Sequence, residues 1–243
     1  VMTHNINRLI RLLQQILEFR KAETGNLKLK VLQGDLVLFV RRSLDGFRPL
    51  MKKKDIQFQI SCSPDPFNAY FDPDKLDKIL YNLLSNASKY NRAGGLVSVE
   101  LSENEDRTAR LVVKDNGPGI SAEAQKNLFK RFYEGDYRKF NTIGTGIGLS
   151  LVRDLVTLHH GSISVESEEG KGAAFKIQFP VHRFAYSEDE IDDAVTLLDS
   201  DGIDAVQEDV VITDAQADIL EENLIPVEQS VAEKSHTLLL VED

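Results

Sequence analysis

Asp74–Asn91, DKLDKILYNLLSNASKYN, carries two distinct faces at helical spacing. Leu76, Ile79, Leu80, Leu83, Leu84 and Ala87 make one apolar stripe. Asn82, Asn86 and Lys89 stand at i, i+4 and i+7 and share a different side. Asparagine is a mediocre helix former, so two of them one turn apart gain nothing from propensity. Each has a carbonyl oxygen suited to a hard cation and an amide that donates. Lys89 adds a point charge suited to phosphate. Alone, this side reads equally well as a solvated polar face, so the neighbouring segments have to choose.

Working upstream, Asp72 or Asp74 caps this helix. Pro64 and Pro66 separate it from a half-buried strand in which Ile56, Phe58 and Ile60 alternate with Gln57, Gln59 and Ser61. Before that, Asp35 caps a helix running to about Lys53, with Leu36, Val40, Leu44 and Phe47 on one face, which Pro49 kinks or ends near Arg48. Val1–Ala22 reads as a helix with a wide apolar stripe (Ile6, Leu9, Leu13, Ile16) ended by Gly25. No capping signal precedes it, and such a stripe needs a partner helix.

Downstream, two alternating strands, Val97-Val99-Leu101 and Ala109-Leu111-Val113, follow Gly94-Gly95. The second runs into Asp115-Asn116-Gly117-Pro118-Gly119, a tight bend with exposed backbone at a strand end. A carboxylate there is acceptor-only and suits an exocyclic amino group such as that of adenine; the segment alone fits a plain surface turn as well. Leu128–Tyr133 is an aromatic-basic patch, and Glu134–Ile143 has no periodicity, which predicts a lid. Gly144-Thr145-Gly146-Ile147-Gly148-Leu149 is neither a Walker A loop nor G-x-G-x-x-G. Alternate glycines opening a helix do suit a backbone cradle for phosphates. That helix runs from Leu149 to His160, with Gly161 as its stop, and two more strands flank Gly170-Lys171-Gly172.

Composition narrows the function classes. The net charge of -10 is concentrated late, with sixteen Asp or Glu and one Lys between Phe184 and Lys234. No basic-aromatic platform exists for nucleic acid, so no nucleic-acid contact is expected from this region. The single Cys62 excludes an intrachain disulfide and a CxxC zinc site, and suits a reducing compartment. With no signal peptide and no run of about 18 apolar residues, a cytoplasmic region is expected. A longer parent anchored in the inner membrane would hold it on the cytoplasmic side.

In order and spacing, these segments resemble the ATP-binding domain of sensor histidine kinases, in the superfamily shared with gyrase B, Hsp90 and MutL. Asn82, Asn86, Lys89 and Tyr90 resemble its N box, and Asp115, Gly117 and Gly119 its first glycine box. Leu128–Tyr133, with Phe129 and Phe132, resembles the F box, Gly144–Leu149 the second glycine box and Gly170–Phe175 the third. The family commonly has small hydroxyl residues where Ala173 and Ala174 stand here. The resemblance implies a Bergerat-type two-layer α/β sandwich, a mixed sheet with helices on one face, over residues 32–183. It also implies ATP and Mg²⁺ as cofactors. Asp115 would meet the adenine amino group, Asn86 with Asn82 would orient Mg²⁺, Lys89 would neutralise phosphate, and the amides of Gly144, Thr145, Gly146, Ile147, Gly148 and Leu149 would cradle it. Gyrase-like relatives place a glutamate base where Asn82 stands, so phosphoryl transfer to protein is expected rather than hydrolysis. A nucleotide-sensing module without net kinase activity, or an anti-sigma-type serine kinase relative, remain the alternatives.

The flanks carry resemblances of their own. Residues 1–31 resemble the second helix of a dimerisation and histidine-phosphotransfer hairpin, which implies a homodimeric parent. No histidine here has the acceptor's expected neighbours; His159 and His160 end a helix, where a positive charge suits the dipole. Residues 184–235 read as an acidic, mostly flexible linker. His236–Asp243 resembles the first strand of a response-regulator receiver domain, which would make the parent a hybrid histidine kinase with a receiver as partner.

Overall fold

The computed structural model describes Arg20, residues 27–133 and residues 146–197. Two sheets form. Strand β1 (Val31–Asp35) precedes helices α1 (Leu36–Asp45) and α2 (Arg48–Lys53), then strands β2 (Gln57–Ser63) and β3 (Asn68–Phe71). Helix α3 (Pro73–Lys89), strands β4 (Leu96–Glu103) and β5 (Thr108–Asp115), and the short helix α4 (Ala122–Asn127) follow. Helix α5 (Gly148–Leu158), strands β6 (Ser162–Glu168) and β7 (Gly172–Pro180), a 3-10 turn at Arg183–Ala185 and strand β8 (Ile191–Leu197) complete the described part. The larger sheet has the order β2-β4-β5-β7-β6, parallel only between β2 and β4. The smaller has the order β3-β1-β8.

The alternation seen in sequence becomes register. Val99, Val113 and Phe175 lie side by side across three strands, as do Leu101, Leu111 and Ile177. All six are buried in one core with Leu76, Leu80, Leu83 and Leu84 of α3 and Leu151, Val152 and Leu155 of α5. Glu100, Lys114 and Gln178 point to the opposite, solvated side. This is the expected two-layer α/β sandwich, mixed sheet on helices. Burying one such Leu contributes about 1.5–3 kcal/mol, so the apolar stripe of α3 suffices to fix its polar side relative to the sheet.

Several local expectations hold in modified form. Asp35 caps α1, accepting from Val37 and Leu38 N–H at 3.0 and 3.2 Å, and takes a third bond from Phe67 N–H at 3.3 Å. Of the two expectations at Pro49, an end rather than a kink is found: two helices are broken at Gly46-Phe47. Pro49 sits in the first turn of α2, where its missing N–H costs no bond. Asp72, not Asp74, caps α3. His160, not Gly161, carries the left-handed turn after α5, at φ 59°. Gly161 is needed for a different reason: a Cβ there would lie 2.3 Å from the Gln178 carbonyl oxygen of β7.

Strands β1, β3 and β8 belong to no alternating run long enough to read as strands. The acidic segment expected to act as a linker from residue 184 begins as ordered structure. Tyr186 is buried with Leu29 and Val31, and its hydroxyl donates to the Pro180 carbonyl at 2.6 Å. Residues 191–197 then lie parallel to β1. The amides of β1 face that segment and need partners, and a strand supplies them regardless of its acidity. The expected hairpin helix over residues 1–31, apart from Arg20 and residues 27–31, the lid over 134–143, the linker beyond 197 and the strand 236–243 lie outside the described residues. No helix among the described residues is long and apolar enough to cross a membrane.

Candidate nucleotide site

The polar side of α3 is real and only half solvated. Asn82 is buried, and its Nδ2 donates to the Lys78 carbonyl one turn back at 2.7 Å. That bond points Oδ1 away from the helix, toward the start of α5. A Cβ on Gly148 would come within 2.8 Å of that oxygen. Glycine at 148 is therefore what lets the first turn of α5 close against Asn82. Asn86 and Lys89 are half-buried further along, and Lys89 Nζ lies 5.1 Å from the Tyr90 ring centroid, over its face.

Asp115 ends β5 in the middle of the large sheet, paired with Val97 on one side and Ala173 on the other. Its Oδ1 accepts from Gly117 N–H at 2.9 Å. Burial pushes its carboxyl pKa up, and hydrogen bonds from the Gly117 and Ala173 amides hold that rise back. The bend after it is pinned on three sides. A Cβ on Gly117 would meet the Tyr90 carbonyl oxygen at 2.8 Å, so the end of α3 and the first glycine segment share this space. Gly119, at φ 72°, packs on the Glu168 carbonyl, and Gly172, at φ 89°, packs on the carbonyl of Asp115 itself; a Cβ at either would lie 2.0 Å from that oxygen. Asn116 straps the bend to β4, its Oδ1 accepting from Leu96 N–H at 2.7 Å.

Two polar residues at this junction escaped the sequence reading. Ser167 Oγ accepts from Ile120 N–H at 2.8 Å and donates to the Gly172 carbonyl at 2.7 Å. Gln125 Nε2 donates to the carbonyls of Ile120 and Ser167, at 2.7 and 2.9 Å. Together they lock the first glycine bend to the third glycine turn. A serine at a strand end and a glutamine in a short helix leave no periodic signal.

The aromatic patch meets the glycine run through backbone. Phe132, in the left-handed region at φ 57°, donates its N–H to the Gly146 carbonyl at 3.0 Å, while 65% of its surface is exposed. A Cβ on Gly146, itself at φ 65°, would lie 2.9 Å from the Phe132 backbone. Phe129 and Leu149 are half-buried against the core, and Ile147 is buried. Their side chains serve packing, and the first backbone N–H groups of α5 have no partner within the helix. Gly144 and Thr145 lie outside the described residues.

One of the two histidines ending α5 differs from the sequence reading. His159 is buried, its Nδ1 donates to the Leu155 carbonyl at 3.0 Å, and its Nε2 accepts from Asp72 N–H at 3.3 Å. Burial holds its pKa below the usual range. It is a neutral cross-brace between α5 and α3 rather than a cation at a helix dipole, because desolvation there outweighs the dipole.

The donor set fits Mg²⁺. Among the described residues no cluster of three His, Cys, Asp or Glu could hold a metal alone. Mg²⁺ bound with a nucleotide keeps waters and needs few protein oxygens, so a single amide oxygen such as that of half-buried Asn86 would be enough to hold it.

Residues 71–183 match the model of the family described as histidine kinase-, DNA gyrase B- and HSP90-like ATPases. Histidine kinase P4 of Formosa agariphila is 29% identical over 100% of this chain and 17% of its own length. The adaptive-response sensory kinase SasA of Synechococcus sp. (strain JA-3-3Ab) is 33% identical over 71% of this chain and 45% of its own length. The chain thus spans less than half of either relative. Among solved structures, full-length ShkA in complex with AMPPNP superposes with a TM-score of 0.65 at 27% identity, covering 72% of this chain and 36% of that one. The segments within residues 71–183 are therefore those of a histidine kinase-type ATP-binding catalytic domain.

Proposed function

We propose that this chain is the ATP-binding catalytic part of a hybrid sensor histidine kinase. It passes the γ-phosphoryl group of ATP to a histidine on a dimerisation hairpin, for two-component signalling. The observation that carries this reading is the abutment of Asn82 on Gly148: it brings the polar side of α3 against the helix start that would hold phosphates. In this reading Asp115 accepts from the adenine amino group, with Gly117 and Gly119 giving the base close access to backbone. Tyr90, Phe129 and Phe132 border the nucleotide, Lys89 neutralises phosphate charge, and the amides from Gly144 to Leu149 cradle it. Asn86, supported by Asn82, would hold Mg²⁺, which would supply electrostatic screening of the charge developing in transfer. No carboxylate replaces Asn82 as a base for water, so transfer rests on positioning a histidine.

The hairpin and a receiver domain are the partners of this reading, with a homodimeric parent that keeps this region in the cytoplasm. The match to 17% of histidine kinase P4, which runs over the whole of this chain and so includes both flanks, supports a longer kinase parent. The test incubates the chain with γ-labelled ATP, with and without a separately made hairpin carrying a phosphoacceptor histidine. Acid-labile label on the hairpin alone is expected. Acid-stable label on this chain would indicate a serine kinase, and nucleotide binding without transfer would indicate a sensing module. Two substitutions locate the site. Asp115→Ala should weaken ATP about ten- to a hundred-fold, the value of a lost charge-assisted bond of roughly 1.5–3 kcal/mol, by calorimetry. Asn86→Ala should remove the gain in ATP affinity on adding Mg²⁺ while adenosine binding stays near wild type; persistence of that gain would return the face to a merely solvated one.

A further inference from the structure

The consecutive histidines that end α5 reach, each through one acid, the consecutive amides of Lys30 and Val31 at the start of β1. His159 Nε2 accepts from Asp72 N–H, and Asp72 Oδ2 accepts from Lys30 N–H at 2.8 Å. His160 Nε2 meets Glu190 Oε1 at 2.9 Å, and the Glu190 carbonyl accepts from Val31 N–H at 2.7 Å. The two routes differ in origin. Asp72 belongs to the body of the domain, as the cap of α3. Glu190 belongs to the acidic segment after it.

That segment is held as a built strap. Ser187 donates both its N–H and its Oγ to Glu190 Oε2, each at 2.9 Å. Tyr186 stacks edge-on against the His160 ring with centroids 5.5 Å apart. Tyr186 is buried with Leu29 and Val31, and Leu158 of α5, Tyr70 and Ile191 pack on that cluster. β8 then continues parallel to β1. The opposite end of α5 is the Gly146–Gly148 turn against Asn82. An eleven-residue helix spans about 16 Å, and a packed helix transmits a small shift at one end as a rigid body.

We propose that residues 183–197 form a strap that couples the nucleotide end of α5 to the entry strand β1, with His160 and Glu190 as its positioning residues. The inference rests on reading Gly146–Gly148 as the phosphate end. Nucleotide at the start of α5 steadies the helix, and the strap passes that order to Val31, the strand through which the catalytic domain joins what precedes it. The His159 branch passes it independently to Lys30. Anything attached beyond Leu197 gains access to the same joint through β8.

Amide hydrogen exchange on the whole chain tests this, with a non-hydrolysable ATP analogue and Mg²⁺ as the probe and calorimetry on the same samples. In the wild type the Val31 and Lys30 amides should both exchange at least several-fold more slowly with nucleotide bound. His160→Asn, which tolerates the left-handed backbone but is too short to reach Glu190, should lose the response at Val31 and keep it at Lys30. Glu190→Ala should do the same, and Glu190→Gln should restore it. Nucleotide affinity should stay within about twofold throughout. Bound nucleotide with no response at Val31 in the wild type, or an undiminished response in His160→Asn, overturns the coupling alone. Absence of nucleotide binding overturns the reading of the site, and the coupling with it.

Discussion

The two sheets of this protein are built on different rules. The five-stranded sheet places its site by backbone close approach: glycines at 117, 119, 148 and 172 each let one segment touch another where a methyl group would not fit. The three-stranded sheet is joined to the helices by side chains, with Asp72, His159, His160 and Glu190 each satisfying a backbone group or one another. The difference teaches where each region tolerates change. A glycine contact fails with one added carbon, whereas a side-chain brace weakens in proportion to the bonds removed.

The sharpest way to break this contrast is at the third glycine turn, which holds two left-handed glycines of opposite surroundings. Gly172→Ala combines positive φ with a Cβ 2.0 Å from the Asp115 carbonyl oxygen. It should cost about 3–5 kcal/mol in denaturant unfolding, a strained backbone plus overpacking. Gly170→Ala meets nothing within 4 Å at φ 82°, so only the left-handed cost of about 1–2 kcal/mol remains. Equal losses at the two positions would mean that conformation, not contact, governs this end of the sheet.

The side-chain join gives an intermediate effect. His159→Ala removes the acceptor of Asp72 N–H and leaves a cavity in the core, which should cost about 2–3 kcal/mol. Its pH dependence has a defined sign. Burial depresses the folded pKa of His159 below the unfolded value of 6.5, so the unfolded chain takes up a proton first. The contribution of this brace is complete above about pH 6.5 and is lost as pH falls through the folded pKa. That acid-side slope should shrink in His159→Ala; an unchanged slope would show that the ring is charged in the native state.

The smallest effect lies away from both sheets, between α1 and α3. Asp77 is pushed up to about 6, first by burial and against a hydrogen bond from Ser43. A carboxyl whose folded pKa is raised destabilises the protein once it ionises, so this group favours the fold at pH 4 and loses that contribution as pH rises through about 6. Asp77→Asn should therefore raise stability by about 1–2 kcal/mol at pH 7.5 and leave it nearly unchanged at pH 4, by thermal unfolding at the two pH values. Destabilisation at pH 7.5 would mean that the hydrogen bond from Ser43 outweighs the burial of the charge.

The sequence reading succeeded where the physics is local. Val97-Val99-Leu101 and Ala109-Leu111-Val113 declare strands because residues two apart share a face, and the Asn82-Asn86-Lys89 side of α3 follows from 3.6 residues per turn. The same spacing could not show that Asn82 spends its amide on Lys78 and turns its oxygen to Gly148, since these residues are far apart in the chain. Nor could it separate Ile147 and Leu149, whose side chains are packed inward, from the glycines beside them.

What the amino-acid sequence by itself determined was the order of helices and strands in the main layer, the polar side of α3, the glycine positions and the family they spell. What only the tertiary structure decided was the small sheet, the ordered start of the acidic segment, the neutral state of His159 and the Ser167–Gln125 lock. The physical reason is the same in each case. β1, β3 and β8 are held by pairing between residues distant in the chain, and the tautomer of a buried histidine depends on which distant amide faces it. Periodicity carries the interactions of a segment with its own turn or its own face; partners supplied from elsewhere exist only once the chain has folded.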